Sequence, residues 1–180
     1  MQEYSPWYVV SRSLLLVVFT GTLFYGYREL YLHRCQTSQT YAIGAIDSSF
    51  RISRDELEGV LEETEYVWEE PSGIYTMFDQ VYGNADITVN LIDLQQEIIP
   101  GAAYDKGDYD RRSGELNIYQ YDNTADLRLV LAHEFGHALG MGHVNDDQAI
   151  MSDILYQDAG TQPSLSSQDL AEFARVCRRI

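Results

Sequence analysis

Lysine is almost missing from this chain of 180 residues: Lys106 is the only one. Lys and Arg together number 12 against 28 Asp and Glu, for a formal net charge of −16. Such a body is repelled by nucleic acid and by anionic lipid, so neither is expected as a charge-driven partner. The imbalance resides in residues 36–180, because residues 1–35 hold Arg12, Arg28 and Arg34 against Glu3 and Glu29. Ordinary solubilising charge explains it most simply; a salty environment or calcium use are the alternatives. Cysteine is nearly as scarce. Cys35 and Cys177 are the only two, and neither fits a zinc-binding spacing. There are no internal repeats and no low-complexity tracts, which excludes solenoids and arrays. An apolar fraction of 45% is enough to build one core, and the length suits one domain.

Long hydrophobic runs are also few. One uncharged, largely apolar stretch lies between Arg12 and Arg28, from Ser13 to Tyr27, and its 15 residues fall short of a bilayer span. Extended back to Tyr4 it reaches spanning length, provided Arg12 snorkels to the headgroups. Trp7, Tyr8, Tyr25 and Tyr27 stand where interfacial aromatics would. No small-x-small cleavage site follows. Residues 1–35 are therefore read as an uncleaved N-terminal hydrophobic helix that anchors the chain in a membrane. A cleaved signal segment on a secreted protein and a buried soluble helix are the alternatives. Residues 36–180 form the second unit.

Histidine is rare too, but three of the four histidines fall in one run of eleven residues. His133 to His143 reads His-Glu-Phe-Gly-His-Ala-Leu-Gly-Met-Gly-His. Residues four apart share one helix face, so His133 and His137 project their imidazoles to the same side. Glu134 stands beside that face, where a carboxylate reaches a metal-bound water. Gly140 ends the helix with a left-handed turn, which brings His143 back as a third ligand. Three nitrogens plus one water make an open, catalytic zinc site; a structural site would use four protein ligands.

This pattern resembles the metzincin group of metalloproteases, and within it the matrixin family. Ala149-Ile150-Met151 stands where metzincins carry a methionine turn beneath the zinc ligands, and an ordinary core role for Met151 is compatible with that. Asp146 lies three residues after the third His, as matrixins commonly have it. Further likenesses are Tyr41 to Gly44 (opening strand), Trp68 to Pro71 (end of the first helix), Asp86 to Leu91 (a later strand) and Leu165 to Leu170 (start of the last helix). The resemblance implies an α+β fold: a twisted mixed β-sheet with three helices. It implies a zinc endopeptidase acting on proteins or peptides outside the cytoplasm, with Glu134 as general base. A catalytically silent interaction module and a zinc hydrolase of a non-peptide bond are the competing readings. The intact Glu134 argues against the first of these.

The local pattern fits that order of elements. A polar linker at 36–40 leads into a strand at about 41–47. Ser53-Arg54-Asp55-Glu56 is a capping box, and Leu57, Val60, Leu61, Thr64, Val67 and Trp68 recur at helical spacing. The predicted helix spans about 54–70, stopped by Pro71-Ser72-Gly73. Ile74 to Phe78 and Ile87 to Ile92 read as strands, followed by a polar segment at about 95–114. Glu115 to Gln120 alternates and reads as a strand. By the resemblance it is the edge strand that pairs with extended substrate. Thr124 or Asp126 starts the zinc helix, and a final helix covers about 167–178.

The remaining expectations concern ligands and pockets. Asp105, Asp108 and Asp110 surround Gly107 in a region where matrixins often bind calcium; a solvated acidic loop is the alternative. Matrixins usually hold a second, structural zinc through extra histidines before the edge strand. None stands there, so one zinc is expected. Cys35 and Cys177 bracket the catalytic part and would pair in an oxidising compartment if close enough, or remain two buried thiols. Val144 replaces the family's usual Ser or Thr, and Ser152 its usual Tyr. By the resemblance, Leu129 shapes the pocket for the substrate side chain after the cut, with Ile154, Leu155 and Tyr156 as its other wall. These apolar side chains predict cleavage before Leu, Ile, Met or Phe.

Overall fold

The computed structural model describes residues 38–73, 77–94, 105–153 and 163–177. The apolar N-terminal run, Cys35 and the segment 154–156 lie outside these residues. No helix among the described residues is long and apolar enough to cross a membrane.

Strand β1 (Gln39–Ile46) is followed by helix α1 (Arg54–Ser72). The capping box forms as expected. Ser53 Oγ accepts from Glu56 N at 3.2 Å, and Glu56 Oε2 accepts from Ser53 N at 2.8 Å. Pro71 sits inside the last turn, and Gly73, at φ +71°, closes the helix. Strands β2 (Phe78–Gln80), β3 (Ile87–Leu91), β4 (Gly107–Asp110) and β5 (Glu115–Ile118) come next. Helices α2 (Thr124–Ala138) and α3 (Ser167–Cys177) complete the order. Among the described residues, five strands and three helices make the α+β fold that the resemblance implied.

The strands form one mixed sheet in the order β2-β1-β3-β5-β4. β1 pairs in parallel with β2 and β3, β3 in parallel with β5, and β4 antiparallel with β5. Ile87, Val89 and Leu91 alternate along β3, and Leu116 and Ile118 along β5, so one face of the sheet is apolar and buried. Helix α2 is buried on nearly every side, as a helix running through a core must be. Trp68 of α1 is fully buried and donates its indole N–H to the Ala132 carbonyl at 2.9 Å, which locks α1 to α2.

Two expectations are corrected here. The segment expected as an acidic loop contains β4. The strand at the sheet's edge is β4 and not β5, which lies inside between β3 and β4. Gly-Asp-Tyr-Asp carries too little apolar alternation to read as a strand. It is held there by its hairpin partner, by Lys106 and by the close approach of Gly107 to Val130. The second β-strand is described as Phe78–Gln80; residues 74–76 of the run expected as a strand lie outside the described residues.

Candidate functional site

Helix α2 delivers two of the histidines. Its N-cap is Asn123, whose Oδ1 accepts from Ala125 N at 2.9 Å and Asp126 N at 3.1 Å. The helix starts at Thr124, one of the two starts that the sequence pattern offered. At the other end Gly140 adopts φ +91°, which only glycine takes without strain. A Cβ there would also come within 2.8 Å of Arg111 Nη2. The reversal carries the chain through Met141 to His143.

The three Nε2 atoms of His133, His137 and His143 then form a nearly equilateral triangle, with edges of 3.1, 3.2 and 3.3 Å. A tetrahedral ion with Zn–N bonds of about 2.0–2.1 Å needs nitrogens about 3.3–3.4 Å apart. The donor set therefore fits zinc in both chemistry and spacing. Among the described residues this is the only group of three His, Cys, Asp or Glu side chains that brings its ligand atoms together.

Each ring is held from behind. His133 Nδ1 meets the Ile150 carbonyl at 2.6 Å, and His137 Nδ1 the Met141 carbonyl at 3.1 Å. Both arrangements leave Nε2 free for a metal. Burial pushes the His133 imidazole down to about 4 and also lowers that of His137, which keeps both neutral near pH 7. His143 Nδ1 lies 2.9 Å from Asp153 Oδ1.

Glu134 is buried, and its Oε2 has no hydrogen-bond partner among the described residues. Burial, helped by the charges of Asp108 and Asp105, pushes its carboxyl up to about 8. A buried carboxyl with an unpartnered oxygen, lining the cleft beside the imidazoles, suits a general base better than a structural role.

The turn at Ala149 to Met151 packs against helix α2 at Gly136 and meets His133 through the Ile150 carbonyl. Met151 is fully buried, and Val144 N donates to its carbonyl at 2.8 Å. Gly136 makes room for it: a Cβ there would collide with Met151 Sδ and come within 2.9 Å of Trp68 Cζ2. The turn is pinned by Asp169, which is fully buried and accepts from Ile150 N and Met151 N, each at 3.0 Å, and from Ser166 N at 2.8 Å. Sequence reasoning missed Asp169. The signal was available, since Ser166 and Asp169 stand at capping-box spacing. It also missed Asp153, which no spacing rule flags.

An open cleft of about 630 Å³ runs between β4 and α2, and Glu134 and all three imidazoles line it. Lys106 fixes its rim, placing Nζ 2.7 Å from Asp126 Oδ2 in the first turn of α2. Leu129 is buried in the core at 3% exposure, while its neighbour Val130 lines the cleft. Ile154, Leu155 and Tyr156 lie outside the described residues. The three calcium candidates do not converge. Asp108 accepts from Tyr119 Oη and, at 3.4 Å, from Asn117 Nδ2. Asp110 Oδ1 accepts from Arg112 N at 2.8 Å, and Asp105 lines the cleft. A strand spreads alternate side chains about 7 Å apart, where a loop would have gathered them.

Two helix-borne histidines and a third from the loop after Gly140, with an adjacent buried carboxyl under an open sheet edge, make the arrangement of a metal-dependent hydrolase site. Residues 33–176 match the family model of Matrixin. The chain belongs to the matrixin family, whose members are zinc-dependent metalloendopeptidases.

Proposed function

We propose that this chain hydrolyses peptide bonds with a single zinc ion held by His133, His137 and His143. The observation that carries the reading is the nitrogen triangle with the unpartnered Glu134 carboxyl beside it. Zinc in such a site supplies Lewis acidity and an acidified water. Glu134 takes the proton of the attacking water and returns it to the leaving amine. The outer edge of β4 offers main-chain donors and acceptors to an extended peptide, which aligns substrate with little regard to its sequence. Val130, in place of the core-buried Leu129, is the apolar wall for the residue after the cut, with the segment 154–156 proposed as its other side. Leu, Ile, Met or Phe is accepted there, and charged residues are disfavoured.

The test uses the full chain. Glu134→Ala should retain about one zinc and lose cleavage of an unfolded protein, whereas His137→Ala should lose both. An active Glu134→Ala enzyme sinks the mechanism. Zinc retained by the unaltered chain with no cleavage of any peptide would favour a silent binding module. Mixed-peptide profiling checks the pocket: a preference for charged residues just after the cut removes that assignment.

Residues 1–35 are proposed to anchor the protein in a membrane with the catalytic part outside the cytoplasm. The apolar run from Ser13 to Tyr27 and its flanking aromatics motivate this. Release of the full chain from membranes by alkaline carbonate would reject it.

A further inference from the structure

The three imidazoles are not held alike. His133 and His137 ride on α2 and lean on main-chain carbonyls, whose positions the backbone fixes. His143 stands on a loop, its side chain 43% exposed, and the group behind it is the Asp153 carboxylate at 2.9 Å. A parallel bridge between Val144 and Ser152 sets that pair up. In a parallel bridge His143 stands level with Met151 and Asp153 level with Asn145, so His143 and Asp153 are diagonal neighbours on one face, and the 2.9 Å contact spans that diagonal.

We propose that Asp153 is the positioning residue for the third zinc ligand. Its carboxylate stands 2.9 Å from Nδ1, where it would accept the Nδ1–H of His143, fix the tautomer that leaves the Nε2 lone pair bare and aim that atom into the triangle. An exposed loop imidazole lacks the packing that orients its two partners, so a hydrogen bond must do this work. The negative charge also makes the ring a better donor to a cation. The inference rests on the zinc reading above.

Zinc affinity of the full chain, measured by competition with a chromophoric chelator, tests it. His143→Ala serves as the reference. Asp153→Ala should bind zinc about 10–100-fold more weakly, the usual loss when such a partner is removed. Asp153→Asn keeps an acceptor oxygen for Nδ1–H and should recover most of that loss. The thermal melt of the zinc-free protein should be the same in all three. If His143→Ala holds zinc as tightly as the unaltered chain, the ligand set itself is wrong. If His143→Ala fails while Asp153→Ala keeps full affinity, the ligand set stands and the role of Asp153 is overturned. A loss in Asp153→Asn as deep as in Asp153→Ala overturns it too.

Discussion

At Gly136 the methionine turn and the zinc helix meet with no room for a methyl group. Gly136→Ala forces Met151 or Trp68 to move, and overpacking of this kind costs about 1–3 kcal/mol. Urea denaturation of the zinc-free protein should show that loss. Zinc retention should fall with it, because the displaced turn carries the Ile150 carbonyl that holds His133. An unchanged midpoint with unchanged metal content would mean that the turn relaxes freely. At this scale the sequence was legible where spacing alone dictates geometry. His133, Glu134, His137, Gly140 and His143 all stand where helical periodicity and one left-handed residue put them. Asp153 was not legible, since its role depends on a bridge between Val144 and Ser152 that no local pattern announces.

Among the elements, β4 is the one that composition concealed. Its attachment to α2 runs through Lys106, whose Nζ contacts both carboxylate oxygens of Asp126, at 2.8 and 2.7 Å. Asp126 is 4% exposed, so Lys106→Ala strands a buried charge and should cost about 1–3 kcal/mol. Adding Asp126→Asn should return part of that, and chemical denaturation of the single and double variants measures the coupling. Additive losses would show that the pair is independent. The contact of α1 with β1 carries a different signature. Tyr41 Oη donates to Glu65, which burial and the charges of Glu69, Glu62 and Asp79 nonetheless push from 4.5 up to about 7. The folded state then holds a proton that the unfolded state has already released. The favourable contribution is complete below about pH 4.5 and is lost as pH rises through about 7. Glu65→Gln lacks that loss, so its melting temperature relative to the unaltered chain should rise between pH 4.5 and pH 8. A constant difference would show that Glu65 titrates normally.

For the whole molecule, the two cysteines decide how the ends are tied. Cys177 is the last residue of α3, and Cys35 precedes β1. In an oxidising compartment the pair is proposed to close a loop of well over 100 residues. That is worth about 4–5 kcal/mol in the chain-entropy model. Labelling of free thiols in protein from its native source checks it, and two fully reactive thiols under non-reducing conditions would reject the bridge. Fold class was readable at this scale because helices and buried strands announce themselves by period. Strand order was not, because pairing is a contest among edges settled by tertiary contacts. The placement of β5 inside the sheet followed from the β4 hairpin, which the sequence disguised.

Asp169 gives the molecule one more property. It grips the amides of Ile150 and Met151 while heading α3, and the Ile150 carbonyl in turn grips His133. Metal site and C-terminal helix are thus two ends of one hydrogen-bonded relay. A ligand that favours one arrangement of the relay stabilises all of it, and the coupling works in both directions. Stripping the metal with a chelator should speed hydrogen exchange at the amides of α3. Exchange at β1, which lies outside the relay, should change much less. Equal acceleration everywhere would show only a general loss of stability.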